Sequence, residues 1–386
     1  MRFTLSPKQK QIVTITGGVL VLAIVASLFL FEYKKTHFAY TKGGLTSNTL
    51  KSDVSTVTLP ALLPPVPKPV LDTIAYDKKL LQIANNPAPK PVAPSEKASG
   101  DDVTGTLVTP KVTPLWPPKT VYPNYGALLP FNRIVAYYGN FYSKGMGVLG
   151  QYPTDVMLDK LNKEVEVWKV ADPTTPVIPA IHYIVVTAQG SSGRDGKYRL
   201  RMPDTQIDHA LELAHKIHGI VFLDIQVALS NVQTEVPLLE KYLKMPDVHL
   251  GLDPEFSMKH SERPGSVIGT MDATDINWAM NYLAKIVQDN NLPPKILVIH
   301  RFTMPMITNY KLIKPLPEVQ FVMDMDGWGF AAKKINTYNT VITPQPVQFA
   351  GFKLFYKNDL LPPSKRMLTP AELLKLTPQP IYIQYQ

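Results

Sequence analysis

After Ala127 the chain repeats one alternation eight times, a short apolar or β-branched run followed by a longer amphipathic stretch, and few folds can absorb that pattern. The runs are 133–138 (RIVAYY), 177–186, 219–226 (GIVFLDIQ), 248–253, 295–300 (KILVIH), 320–326 (QFVMDMD), 350–356 (AGFKLFY) and 380–384. Runs this uniformly apolar fit strands buried on both faces of a parallel sheet. Eight such units close a sheet on itself, so the expected fold is α/β, a (β/α)8 TIM-type barrel. The intervening segments carry helix signals of their own. Ile207, Ala210, Leu211, Ala214 and Ile217 recur at helical spacing, and Ile276, Met280, Leu283 and Val287 share a face behind Asp272. Thr369, Pro370 and Glu372 have the spacing of a capping box.

The first third has a different texture. Residues 12–31 (IVTITGGVLVLAIVASLFLF) are twenty uncharged, mostly apolar positions, long enough to cross a bilayer as a helix. Arg2, Lys8 and Lys10 precede them, which favours a cytoplasmic N-terminus and an extracellular remainder. From 36 to 126 proline, lysine and threonine dominate, with PPVPKP at Pro64 and PAPKPVAP at Pro87. Proline at that density favours an extended spacer, broken by one weak helical patch at 70–83. The expected organisation is an anchor over 1–35, a largely disordered stalk over 36–126 and a barrel over 127–386.

Composition narrows the chemistry. The chain of 386 residues has no cysteine, which removes disulfides, thiolate metal sites and a cysteine nucleophile together. Its net charge of +9 comes from scattered lysines, without a basic stripe interleaved with aromatics. Nucleic acid is therefore not expected as a partner, whereas a wall polymer or an anionic membrane surface is. No Walker-type or dinucleotide glycine pattern follows a run, and no cofactor is expected.

Active sites of such barrels lie at the C-terminal ends of the strands. Reading those ends in order gives Tyr137 and Tyr138, His182, Asp224 and Gln226, Asp253 and Glu255, His300, Asp324 and Asp326, Lys353 and Tyr356, and Gln384. The centre of this set is VHLGLDPEF, where a buried run ends in Asp253 and Glu255 either side of Pro254. Alternation along a strand predicts that these two acids point together.

Two carboxyls flanking a bond, one protonated and one ionised, are the machinery of glycoside hydrolysis. Glu255 is the expected proton donor beside Phe256, with Asp253 tuning it and Asp326 or Asp224 as the second carboxylate. Tyr137, Tyr138 and Trp328 offer faces for sugar rings. His182, Gln226, His300, Asp324, Lys353 and Tyr356 complete the expected substrate-binding set. A metal-dependent hydrolase is an alternative, since Asp224, Asp253, Glu255, His300 and Asp326 include oxygen and imidazole donors. No His-x-His ends the first strand and no His-Glu-x-x-His occurs, so no metal is expected. A non-catalytic glycan-binding barrel and a Schiff-base lyase acting through Lys353 are further alternatives.

The phrases VAYYGN at Val135, MGVLGQY at Met146, LGLDPEF at Leu250, NLPPKILVIHRFT at Asn291, DMDGWG at Asp324 and FAGFKLFY at Phe349 give the region from Phe131 onward a family likeness. It resembles a group of largely uncharacterised bacterial surface proteins with a glycoside-hydrolase-like (β/α)8 barrel. The Asp253-Pro254-Glu255 step is similar to the Asp-x-Glu of secreted muramidases, which implies wall-glycan chemistry with Glu255 as the acid. Those enzymes carry an acid at the end of the first strand, where this chain has Tyr137 and Tyr138. The resemblance implies a glycoside-hydrolase-like barrel acting on wall glycan; with the anchor read from 12–31, the expectation is a membrane-anchored, extracellular, monomeric barrel acting on cell-wall or surface polysaccharide.

Overall fold

The computed structural model of the chain describes residues 69–87 and 113–386. All eight expected runs form strands: β1 (Arg133–Gly139), β2 (Val177–Ala188), β3 (Ile220–Ile225), β4 (Val248–Leu252), β5 (Lys295–Arg301), β6 (Val319–Met325), β7 (Phe349–Leu354) and β8 (Tyr382–Tyr385). Each pairs in parallel with its sequence neighbours, and β1 pairs with both β2 and β8, from Ile134 opposite Tyr382 to Tyr137 opposite Tyr385. The sheet is therefore closed. A short strand, Arg199–Arg201, adds antiparallel to the end of β2.

Side chains alternate between the two faces of this barrel wall with the period of a strand. Val135, Ile181, Leu223, Leu250, Leu297, Phe321, Phe352 and Ile383 face outward into the layer shared with the helices. Ile134, Ala136, Ala180, Ile220, Phe222, Ile296, Val298, Val322, Phe349 and Tyr382 fill the lower interior. Burying one such side chain contributes about 1.5–3 kcal/mol, so a one-residue slip of any strand would be prohibitive.

Helices α2 (Thr154–Ala171), α3 (Asp204–Lys216) and α4 (Ala273–Asn290) pack on the outer face, followed by the short α5 (Ala331–Thr337). Asp272 caps α4 by accepting from the Thr274 amide at 2.9 Å, and Thr369 with Glu372 forms the anticipated capping box. Between β3 and β4 there is no long helix. Val232–Glu235, Val236–Leu239 and Glu240–Leu243 form consecutive short turns, with Pro237 in the middle one.

The patch at 70–83 is a helix, α1 (Thr73–Ala84), and it belongs to the fold. Tyr76 and Ile83 are buried in the same cluster as the lower barrel interior. Gln379 donates its amide to the Ile83 carbonyl at 2.7 Å, and Asn85 donates its side-chain amide to the Leu376 carbonyl at 2.9 Å. α1 thus covers the N-terminal end of the barrel. In 113–126, Trp116 is buried and donates from Nε1 to the Thr343 carbonyl at 2.8 Å. Within the expected stalk, then, 69–87 and 113–126 are folded against the barrel, because their aromatic residues find apolar cover there. The expected span at 12–31 and the rest of the stalk, 36–68 and 88–112, lie outside the described residues. Among the described residues no helix is long and apolar enough to cross a membrane.

Candidate functional site

Above the apolar interior the inward positions turn polar on successive strands: Tyr138, His182, Asp224, His300, Asp324, Lys353 and Gln384, each no more than 2% exposed. Two glycines make room for them. A Cβ on Gly251 would stand 2.4 Å from Asp224 Oδ1, and one on Gly351 2.6 Å from Asp324 Oδ1. Over this layer opens a cavity of about 630 Å³ at the C-terminal mouth. Asp253, Glu255, Asp326, Lys353, Gln226 and Tyr138 line its polar side, and Phe256, Phe302, Trp328 and Phe355 are among its apolar walls.

The Asp253-Pro254-Glu255 step is built differently from the strand end that alternation predicts. β4 stops at Leu252, and Pro254 begins a single 3-10 turn, Pro254–Phe256. Asp253 caps that turn, its Oδ1 accepting from the Glu255 amide at 3.1 Å, while its Oδ2 accepts from Gln226 Nε2 at 3.0 Å. Gln226 is fixed in turn by the Ala188 amide, which donates to its Oε1 at 3.0 Å. Both acids reach the cavity, but through a turn rather than along a strand.

Burial sets their electrostatics. It raises the Glu255 carboxyl to about 8, with the charges of Asp253 and Asp326 adding and those of Lys353 and His300 opposing. The Glu255 side chain has no hydrogen-bond or ion-pair partner among the described residues, so only the more distant charges of Lys353 and His300 favour its ionised form. Burial also raises Asp253, to about 6, against the attraction of His300. Asp326 behaves oppositely. Burial alone would raise it, but Lys353 and His300 outweigh that and hold it below the usual carboxylate range. Lys353 Nζ lies 3.0 Å from Asp326 Oδ1 and sits over the Tyr138 ring, 3.8 Å from its centroid. An amine so paired is a poor Schiff-base nucleophile.

Asp224 corrects one expectation. It is wholly buried beneath the cavity and does not line it. Its Oδ2 accepts from Tyr138 OH at 2.9 Å, and its Oδ1 stands 3.3 Å from His182 Nε2 and 3.4 Å from His300 Nε2. The charge of His300 and the close approach of both imidazoles hold it far below the usual range in spite of burial. Asp224 lies one layer below the cavity wall, on which Asp326 stands, and His182, His300 and Asp324 share that buried layer. His300 Nδ1 lies 3.2 Å from Asp326 Oδ2 and 3.5 Å from Asp324 Oδ2, tying the buried layer to the cavity floor. His182, Asp224 and His300 are also a set of donors able to hold a metal ion.

Two tyrosines fall on the wrong face. Tyr137 points outward, where its hydroxyl meets that of Tyr356 at 2.9 Å, and Tyr356 donates to Glu164 Oε1 on α2 at 2.6 Å. Neighbouring residues of a strand face opposite ways, so only Tyr138 of the pair could enter the barrel. Trp328 does line the mouth, 48% exposed, with Lys333 Nζ 4.6 Å from its ring centroid. The reading of strand ends missed Phe302, Phe355 and Gln386, all cavity residues. Each stands two positions beyond an inward residue (His300, Lys353 and Gln384), so the alternation already pointed to them.

No protein-family model and no curated protein sequence matches this chain. Among solved structures, a chain described as "Cellulase Cel5C_n" aligns with 58% of this chain and 65% of its own length, at 11% identity and a TM-score of 0.32. A trimodular GH5_4 subfamily endoglucanase aligns with 59% of this chain and 48% of its own, at 9% identity and a TM-score of 0.30. The chain thus spans less than two thirds of either. Likeness at that level is too slight to bear on activity, and the closed parallel barrel rests on the strand pairing itself.

Proposed function

We propose that the chain is a glycoside hydrolase acting on a cell-wall or surface polysaccharide, with Glu255 as the proton donor. The observation that carries the proposal is the placement of Glu255, an unpartnered carboxyl beside Asp253 in an aromatic-lined cavity, where burial raises it to about 8 and favours its protonated form. Asp326, ion-paired with Lys353 on the same cavity, takes the part of the second carboxylate. Asp253 positions the acid by capping its turn and adds to the charge that keeps it protonated. Trp328 and Phe302 supply flat apolar faces of the kind on which pyranose rings stack. Lys353 and Gln226 supply donors for sugar hydroxyls.

By the same proposal the barrel works outside a membrane, tethered by the apolar run at 12–31. It acts there as a monomer.

Glu255→Gln tests the assignment, since glutamine keeps the size of the side chain but delivers no proton. On peptidoglycan and on soluble β-glucans, the variant should lose about 10²- to 10⁴-fold in turnover against any polymer the parent cleaves. Wild-type turnover in a folded Glu255→Gln protein would refute the assignment of the acid.

A further inference from the structure

We propose that His182, Asp224 and His300 form a binding site for a first-row divalent transition ion of the zinc type, buried beneath the cavity floor. The inference is independent of the hydrolase reading.

The three donors come from three strands, β2, β3 and β5, and all are fully buried. His182, Asp224 and His300 each offer a ligand atom, all within 4.8 Å of one another. His182 Nε2, Asp224 Oδ1 and His300 Nε2 make no well-formed hydrogen bond, and Asp224 Oδ1 meets the two nitrogens only in loose contacts. Buried polar atoms so poorly paired are costly, and their convergence leaves a place for an occupant. Their spacing says which kind. Charge-assisted hydrogen bonds between such groups close to about 2.7–2.9 Å. The two observed separations from Asp224 Oδ1 are 3.3 and 3.4 Å. A tetrahedral ion held at about 2.0–2.1 Å by imidazole nitrogen and carboxylate oxygen sets its donors about 3.3–3.4 Å apart.

Space and outer contacts agree. A Cβ at Gly251 would lie 2.4 Å from Asp224 Oδ1 and 2.5 Å from His182 Nε2, so glycine leaves open the place beside these two donors. Hydrogen bonds hold the far side of two of the three ligands, as outer contacts of metal ligands do, and an ion-pair contact meets the third. Tyr138 OH donates to Asp224 Oδ2. His300 Nδ1 faces Asp326 Oδ2 at 3.2 Å, and His182 Nδ1 faces Tyr382 OH at 2.5 Å. With the ion taking the place of the proton on Nε2, each imidazole would keep its proton on Nδ1 and offer Nε2 as the ligand. Gln384 Oε1 is buried without a partner, and turning that amide over would let it accept from His182 Nδ1. Two imidazoles and one carboxylate suit zinc, cobalt or nickel, not calcium or magnesium, which take oxygen shells. The fourth position falls to water. None of the three ligands lines the cavity, so the ion's part is to lock three strands and, through Tyr138 and Asp326, to fix the floor.

The full chain, stripped with a strong chelator and dialysed against zinc, should retain about one ion that competing chelator removes slowly. Cobalt in its place should give the intense visible bands of a tetrahedral site. His182→Gln and Asp224→Asn, checked for folding by circular dichroism, should each abolish those bands and weaken zinc retention at least tenfold. Gly251→Ala, which removes no donor, should do the same by filling the site. Retention of the bands in a folded His182→Gln or Asp224→Asn protein would overturn the assignment. Should the variants fail to fold, the wild type decides alone: a folded protein without tetrahedral cobalt bands has no such site.

Discussion

If Glu255 is held protonated by its surroundings, removing its charge should stabilise the protein, and only at the alkaline end. Its carboxyl is raised from 4.5 to about 8, chiefly by burial. Between those values the folded chain keeps a proton that the unfolded chain has released, so stability falls as pH rises. The contribution is whole below 4.5 and gone above 8. Fully dry, a rise of that size corresponds to about 5 kcal/mol. The carboxyl opens to the solvent of the cavity, which screens it, and about 2–3 kcal/mol is the realistic expectation. Glu255→Gln has no such proton to lose. Urea unfolding of the full chain and the variant at about pH 5 and about pH 9 gives the comparison. The two should unfold together near pH 5, with Glu255→Gln the more stable by about 2–3 kcal/mol near pH 9. Asp253, close by and also raised, interacts with Glu255, so the difference reports the loss of Glu255 together with its interaction with Asp253. An equal stability difference at the two pH values would mean that the carboxyl is not strained toward its neutral form, and the proton-donor argument would lose its basis.

Other parts of the fold are as open to test. Tyr76→Ala should cost about 3–5 kcal/mol in urea unfolding, because Tyr76 is buried against Tyr122 and Phe131 where α1 covers the barrel; a loss under about 1 kcal/mol would detach α1 from the folded unit. Lys334→Met should cost about 3–5 kcal/mol, since Lys334 Nζ lies 2.7 Å from Asp359 Oδ2 and both are buried. Adding Asp359→Asn should recover part of that loss, and strict additivity would deny the pairing. Protease added to intact cells should cut between the apolar run and the barrel and release the barrel, whereas a barrel digested only after lysis would lie inside.

What the sequence could say about this fold followed from periodicity. Eight apolar runs separated by helical spacing locate the strands, because a strand buried on both faces has few alternatives. Depth and parity were harder to read. Asp224 lies inside its strand, two residues short of Gln226, whereas Asp326 lies just past the end of its own, so one sits beneath the floor and the other on it, and the strand ends that decide this are not marked by hydropathy alone. Tyr137 and Tyr138 were read as a pair although alternation allows only one of them inside. Asp253 and Glu255 reach the same cavity by a route that strand geometry did not describe, since Pro254 cannot continue the ladder and the chain turns there instead. α1 was the least legible element. Its cover depends on Tyr76 and Ile83 finding the barrel's lower end, and its seam joins residues nearly three hundred positions apart.

That seam bears on how the molecule assembles. β1 and β8 meet only when residues 248 positions apart are brought together, a contact order that slows folding and postpones closure. Until Ile134 finds Tyr382, β1 and β8 each present an unpaired edge, open to the same strand in another copy of the chain. Dilute refolding should therefore outperform concentrated refolding by a wide margin. α1, which bonds to Gln379 just ahead of β8, can act as a latch only once that edge has closed.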